Sequence, residues 1–133
     1  MDGSFKDMKV YQMAYTLAIE IFHLSKSFPK DEIYSLTSQI RRSSRSVCHN
    51  IAEAYRKRSY PNHFASKCTD ADAEASETTV SLDFAKDCGY ITVDIHQSLI
   101  SRYEEVGKML GGMIEHPERF LPKNKQQEQG QGQ

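Results

Sequence analysis

The chain has 133 residues, with 17 Lys and Arg against 18 Asp and Glu, so its net charge at pH 7 is −1. This length suits one domain, and the near-neutral charge excludes a protein that is cationic throughout for binding nucleic acid. Three widely spaced cysteines without a C-x-x-C motif exclude the common zinc and disulfide frameworks and predict reduced thiols in a cytoplasmic protein. No apolar run approaches a membrane span, so no membrane partner is expected.

The first helix is predicted from Asp7, after a short flexible lead over residues 1–6, to Phe28, where Pro29 stops it. Apolar residues recur along it at helical spacing in two neighbouring stripes, which leaves a narrow polar arc. One stripe fits the core of a bundle. The two stripes together form an apolar face that is wider than one core needs, so we expect the second stripe to contact another subunit. This second stripe includes Tyr11, Tyr15, Ile19 and Phe22.

The second helix is predicted from Leu36 to Arg58, and the rest of the chain is expected to pack around it. Wound at about 100° per residue, it separates an apolar edge from a basic edge. The apolar edge comprises Leu36, Ile40, Val47, Ile51 and Ala54. The basic edge comprises Arg41, Arg42, Arg45, His49 and Arg56, and Lys57 and Arg58 follow it at the end of the helix.

The third helix is predicted from Pro61 to Asp87, with Gly89 as its C-cap. Alternating steps of four and three residues define a seam of mostly small side chains, which favours close helix packing. This seam comprises Phe64, Cys68, Ala71, Ala75, Thr78, Leu82 and Ala85. A second, outward strip of apolar residues comprises Ala73, Val80 and Phe84, and it indicates an interface.

The fourth helix is predicted to begin after a Thr92 cap and to end before Pro117. Four helices with short connections predict an all-α, antiparallel, up-down-up-down four-helix bundle. The bundle domain is expected over residues 1–121. Residues 122–133, rich in Gln and Gly, lack apolar side chains to bury and are predicted to be disordered.

The charges fall in opposed blocks, since residues 41–58 carry six Arg and Lys and residues 70–87 carry six Asp and Glu. The blocks can pair within the fold, pair between subunits, or leave one face free for a partner. The basic edge of the second helix is long enough to meet several phosphates of RNA or DNA. A solvated arginine face that pairs with acidic residues explains the same pattern.

Candidate catalytic chemistry is sparse. No nucleophile motif, phosphate-binding glycine loop or H-E-x-x-H sequence occurs, and the five histidines are scattered, so no enzyme, cofactor, metal or small-molecule substrate is predicted. Asn50 and Glu53 lie between the apolar and basic edges of the second helix. We expect them to form hydrogen bonds or an ion pair across the bundle and to fix its register.

The run from Phe28 to Ser59, FPKDEIYSLTSQIRRSSRSVCHNIAEAYRKRS, and the later AKDCGYI resemble small bacterial proteins encoded in intervening sequences of large-subunit ribosomal RNA genes. The first helix is also similar, and the resemblance covers about residues 5–115. It implies a closed four-helix bundle that assembles as a pentamer. It also implies a structural motif that includes Gln39, Asn50 and Glu53. The accessory subunit of diversity-generating retroelements, which binds a reverse transcriptase and nucleic acid, is similar.

This sequence departs from the family pattern at Cys48 and His49, where a proline and a small residue are usual, and at Ala54, where glycine is usual. A kink in the second helix is therefore less expected here. The leading hypothesis is a non-enzymatic, homo-oligomeric scaffold whose second helix contacts RNA, DNA or a nucleic-acid-bound protein. The alternative is a purely structural or protein-interaction module without nucleic-acid affinity.

Overall fold

A computed structural model describes residues 3–123, and all the regular secondary structure within them is helical. The four helices are α1 (Lys9–Ser25), α2 (Leu36–Arg56), α3 (Pro61–Asp87) and α4 (Val93–Glu115). Each helix packs on two others, so that α1 and α3 lie at opposite corners and α2 and α4 lie between them. The predicted all-α, antiparallel four-helix bundle is confirmed.

The contact between α2 and α3 is the most extensive in the bundle, and many of the buried side chains on these two helices are small. The predicted seam of α3 is buried along its whole length, from Phe64 to Ala85. Opposite it, Ser43 and Ser44 of α2 are also buried. The Thr78 hydroxyl donates to the Ser43 Oγ over 2.8 Å, so a buried hydrogen bond joins the two helices where their backbones approach.

The connection between α3 and α4 follows the predicted caps. Gly89 has a φ of 79°, a left-handed conformation that favours glycine. The Gly89 N–H donates to the Lys86 carbonyl and the Tyr90 N–H donates to the Ala85 carbonyl, the pattern of a Schellman motif. The Ile95 N–H then donates to the Thr92 hydroxyl and caps α4.

The first helix ends earlier than predicted, at Ser25 rather than Phe28. Residues 26–28 continue as tight i→i+3 turns, which bury Phe28 against the ring of Tyr90 at 5.5 Å between centroids. The Tyr90 hydroxyl donates to the Glu32 carboxylate over 2.8 Å. The connection from α1 to α2 and the connection from α3 to α4 therefore meet at the same end of the bundle.

The predicted flexible lead is wrong for residues 3–6. Ser4 and Asp7 form a capping box around a short 3₁₀ helix, and α1 begins only after it, at Lys9 rather than Asp7. The ring of Phe5 packs edge-on against Tyr11, and the Tyr55 hydroxyl donates to the Gly3 carbonyl over 2.8 Å. These contacts fix the segment to α1 and α2.

The second helix ends at Arg56, two residues before the predicted Arg58, because residues 57–60 turn directly into α3. After α4, Pro117–Phe120 form a 3₁₀ helix that the sequence pattern did not predict. Phe120 stacks on Phe64 of α3 at 5.3 Å and closes that end of the core. Residues 124–133 of the predicted disordered tail lie outside the described residues.

The core of the bundle predicts a large difference between two isoleucines. We expect Ile51→Ala, at a fully buried position of α2, to lower the free energy of unfolding by about 2–5 kcal/mol, because it leaves a cavity. Ile95→Ala removes the same atoms from a side chain that is 39% exposed, and we expect a loss below about 1 kcal/mol. Chemical unfolding of both variants at equal protein concentration measures the difference, and equal losses would contradict it.

Candidate nucleic-acid interface

The basic edge of α2 is not one continuous surface in the folded chain, because its side chains have different neighbours. Arg41, Arg45 and His49 lie on the side of α1. Arg42 faces α3. Arg56, Lys57 and Arg58 lie at the far end of the helix. The seven predicted nucleic-acid-binding residues therefore form three separate groups.

The first group surrounds the ring of Phe22. The Arg41 guanidinium lies 4.9 Å and the Arg45 guanidinium 5.6 Å from the ring centroid, and Lys26 of the chain after α1 lies 4.8 Å away. The Arg41 Nε–H also donates to the Ser25 hydroxyl over 2.7 Å. Cations at these distances are attracted to the face of an aromatic ring, so α2 is held to the aromatic stripe of α1.

A groove of about 450 Å³ runs between α1 and α2 beside this cluster. Its apolar walls include Tyr15 and Ile19, whose side chains are 52% and 44% exposed. Arg45 and His49 form its polar rim. We call it the α1/α2 groove, and it contains Tyr11, Tyr15, Ile19, Phe22, Arg45 and His49. The predicted oligomer stripe of α1 and part of the predicted nucleic-acid face are thus the same surface.

The second group is Arg42 alone, which pairs with α3. Its guanidinium lies 3.0 Å from the Glu77 carboxylate and 3.4 Å from that of Glu74. These hydrogen bonds raise the pKa of Arg42. A hydrogen bond from Glu74, and then the Arg42 guanidinium, lower the pKa of Glu77. Arg42 therefore pairs the basic block of α2 with the acidic block of α3 inside one chain.

The third group forms what we call the basic end of the bundle: Arg56, Lys57 and Arg58. Arg56 and Lys57 are exposed, and within residues 3–123 no carboxylate lies within 4 Å of either cation. The Arg58 guanidinium stacks 3.8 Å over the ring of Tyr55. Tyr60 is 65% exposed one turn later, an aromatic neighbour that the sequence analysis did not single out.

The residues of the predicted structural motif have local and cross-helix partners. Glu53 pairs with Lys67 of α3 over 2.8 Å, and this contact lowers the pKa of the Glu53 carboxyl. The Asn50 side-chain amide donates to the Ser46 carbonyl one turn earlier in α2 rather than across the bundle. Gln39 is exposed, and its backbone N–H donates to the Ser35 carbonyl.

The outward strip of α3, which we call the α3 strip, consists of Ala73, Val80 and Phe84. Val80 is 53% exposed and Phe84 is 59% exposed. Carboxylates flank it: Asp83 accepts from His96 of α4 at 2.7 Å, and Asp87 pairs with the adjacent Lys86 at 3.5 Å. The strip is therefore an apolar ridge with acidic borders.

Comparison with known proteins identifies the family. The family model described as 23S rRNA-intervening sequence protein matches residues 6–112. The chain belongs to this family. A crystal structure of a protein of unknown function from the S23 ribosomal protein family of Bacteroides thetaiotaomicron is similar, with 29% sequence identity and a TM-score of 0.72. The match covers 80% of this chain and 95% of that one. No curated protein matches the sequence.

The remaining chemically reactive candidates are the possible metal-binding side chains and the three cysteines. Within residues 3–123, no group of three or more His, Cys, Asp or Glu is arranged to hold a metal ion. None of the helices described there is long and apolar enough to cross a membrane. Cys48 and Cys68 are buried, and burial raises the pKa of the Cys48 thiol to about 11 and that of Cys68 to about 12.

The cysteines are expected to react in a fixed order, because only the exposed Cys88 is open to solvent. At pH 8, alkylation of the folded protein should label Cys88, while Cys48 and Cys68 stay protonated, buried and at least tenfold slower. In denaturant, all three should react at similar rates. Peptide mass spectrometry over a time course measures this, and fast labelling of Cys48 in the folded protein would contradict the described packing.

Proposed function

We propose that the chain is a non-enzymatic, homo-oligomeric helical-bundle scaffold that binds RNA or DNA through the basic end. The observation that carries the nucleic-acid part is the pair of exposed cations, Arg56 and Lys57, neither of which has a carboxylate within 4 Å among the described residues. Glu53, one turn earlier in α2, attracts Lys57 only from a longer distance. A phosphate backbone supplies the missing negative charge, and releasing its counterions favours binding.

The neighbours of these cations favour unpaired nucleotides over a regular duplex. Tyr60 projects beside them with most of its ring exposed, and its backbone N–H donates to the Lys57 carbonyl over 2.9 Å. Exposed tyrosine rings stack on unpaired bases, while neighbouring cations contact the phosphates. Cations at the C-terminus of α2 are also favoured by the helix dipole, even when no ligand is bound. The dipole does not give these side chains a close carboxylate, so they can still contact phosphates.

The oligomeric part rests on the two exposed apolar surfaces. The α1/α2 groove and the α3 strip expose Tyr15, Ile19, Val80 and Phe84, each by 44% or more. Large apolar side chains grouped on a surface favour burial against a partner. Assembly also multiplies the weak contacts that each basic end makes with one nucleic acid, since linked sites bind with higher avidity.

The second candidate function is a protein-interaction module without nucleic-acid affinity. It is favoured by the engagement of Arg41 and Arg45 with Phe22, since side chains already placed over a ring are less available to phosphates. In this case the apolar surfaces alone are functional, and the cations of the basic end are solvated side chains.

The nucleic-acid proposal predicts a salt-dependent affinity that the basic end controls. Labelled single-stranded RNA should bind with micromolar or tighter affinity at about 50 mM salt, and the affinity should fall steeply as the salt concentration rises. Arg56→Ala/Lys57→Ala should weaken binding at least tenfold. The slope of log affinity against log salt should become less steep by about one to two, because one or two phosphate contacts are lost. Fluorescence anisotropy over a salt series measures both quantities.

The matched control is Arg42→Ala/Lys86→Ala, which removes the same charge from two cations that pair with carboxylates of their own chain. This control should change affinity less than threefold. Arg41→Ala/Arg45→Ala tests the groove in the same assay. Loss of binding there, with Arg56→Ala/Lys57→Ala unchanged, would move the site to the groove. No binding by the folded wild type at low salt would leave the protein-interaction function.

A further inference from the structure

We propose that the turn between α2 and α3, residues 57–60, recognises single strands of nucleic acid through two base-stacking platforms. The first platform is the exposed ring of Tyr60. The second is the outer face of the Arg58 guanidinium, which Tyr55 holds in place. This inference rests on the nucleic-acid binding proposed above and adds residues that contact bases to the cations that contact phosphates. Tyr55 is then a positioning residue, since it acts through Arg58.

The Arg58 guanidinium is fixed in a stacked position by one neighbouring residue. It lies 3.8 Å from the centroid of the Tyr55 ring, and its Nη1 donates to the Tyr55 carbonyl over 3.1 Å. Among the described residues, no carboxylate lies within 4 Å of this guanidinium. One face of the planar group covers the ring, and the opposite face is turned away from it. Guanidinium planes stack on unpaired bases, so the opposite face can receive one.

Tyr55 is itself held by the segment that precedes α1. Its hydroxyl donates to the Gly3 carbonyl over 2.8 Å, and the ring of Phe5 packs edge-on against its ring at 6.5 Å between centroids. This segment therefore fixes the ring on which Arg58 lies. A side chain that is fixed before the ligand arrives loses less conformational entropy on binding, so the stacked arginine is prepared to receive a base.

Tyr60 forms the other platform, where the chain enters α3. Its ring is 65% exposed, and the imidazole of His63 packs edge-on against it at 6.1 Å between centroids. The Tyr60 N–H donates to the Lys57 carbonyl, and the Phe64 N–H donates to the Tyr60 carbonyl, each over 2.9 Å. The backbone of Tyr60 is thus tied to both sides of the turn, whereas most of its ring is open to solvent.

The two platforms are close enough together to serve one strand. Arg58 and Tyr60 are two residues apart, so their Cα atoms are separated by at most about 7 Å. The exposed cations Arg56 and Lys57 immediately precede them. This end of the bundle thus combines base-stacking groups with cations for the phosphates, which is the combination that single-strand-binding proteins use.

Stacking on these platforms requires bases whose faces are free. In a duplex, the faces of each base are covered by the neighbouring base pairs, so only the phosphate contacts remain available. Stacking also depends little on the identity of the base, because every base has a π face. We therefore expect the turn to prefer single strands to duplexes without selecting a sequence.

Binding of two matched strands separates base contacts from phosphate contacts. One labelled probe is a single-stranded RNA of about ten nucleotides, and the other has the same length and charge but carries abasic spacers in place of the bases. The wild type should bind the RNA about 25-fold more tightly or better, because each of two stacked bases contributes about fivefold or more. Fluorescence anisotropy at low salt measures both affinities, and their ratio reports the stacking.

Substitutions of the platform residues should change this ratio in a defined way. Tyr60→Ala should lower the ratio about fivefold, and Tyr60→Phe should keep it, because phenylalanine retains the aromatic face. Arg58→Lys should also lower the ratio about fivefold and change the affinity for the abasic strand less than about twofold, because lysine keeps the charge but not the planar group. Tyr55→Leu should act like Arg58→Lys, whereas Tyr55→Phe keeps the ring under Arg58 and should keep the ratio.

Tyr34→Ala is the matched control, because Tyr34 is 95% exposed but precedes α2 at the opposite end of the bundle. It should leave the ratio unchanged, and circular dichroism confirms that each variant is folded. Equal binding of both strands by the wild type would overturn the platforms and leave the phosphate contacts of Arg56 and Lys57 standing. An unchanged ratio in Tyr60→Ala or in Arg58→Lys would do the same. Binding of neither strand would overturn the nucleic-acid function itself.

Discussion

The close approach of α2 to α3 is the constraint on which the arrangement of the other side chains depends. The seam of α3 includes the buried Ala71 and Ala75, and Ser43 of α2 is also small and buried. Because these side chains are small, the two backbones lie near each other where Thr78 bonds to Ser43. A buried hydroxyl pair at this level contributes about 1 kcal/mol, and removing one partner costs more because the other is left unsatisfied. The larger fully buried side chains come from all four helices, with Phe64 and Leu82 on α3 and Ile40 and Ile51 on α2.

This constraint also determines which charges can meet. Arg42 is on the side of α2 that faces α3, so it reaches Glu74 and Glu77, and Lys67 reaches back to Glu53. Arg41 is about 100° further around the helix and faces α1 instead, where it meets Phe22. The opposed charge blocks are thus paired along one edge of α2 only. On the other edge, Arg41 and Arg45 lie over the ring of Phe22 instead of pairing with carboxylates of α3.

Helical periodicity was sufficient to predict the four helices, the buried seam of α3 and the caps at Gly89 and Thr92, because these depend on spacing and on local backbone geometry. It was not sufficient for the helix ends that depend on contacts between distant residues. Phe28 leaves the helix because Tyr90, 62 residues away in sequence, offers an aromatic partner. Similarly, the order of Gly3 depends on the hydroxyl of Tyr55.

The candidate surfaces show the same limit. A helical wheel places Arg41 and Arg45 on one edge of α2, but it does not give the rotation of α2 relative to α1. The sequence analysis therefore treated the basic edge and the aromatic stripe as separate, whereas in the fold they border one groove. Tyr60 was not singled out from the sequence, because a tyrosine just before a helix has the same sequence signal whether or not its ring is exposed.

The cluster around Phe22 places several cations on one aromatic ring, so attraction and repulsion must be compared. Three cations lie within 6 Å of one ring, and each contact contributes about 0.5–1 kcal/mol at an exposed site. The same cations repel one another, and two unit charges about 8 Å apart in water repel by about 0.5 kcal/mol. Attraction to the ring is therefore at least as large as the repulsion, and the cluster makes a small net contribution to holding α2 against α1.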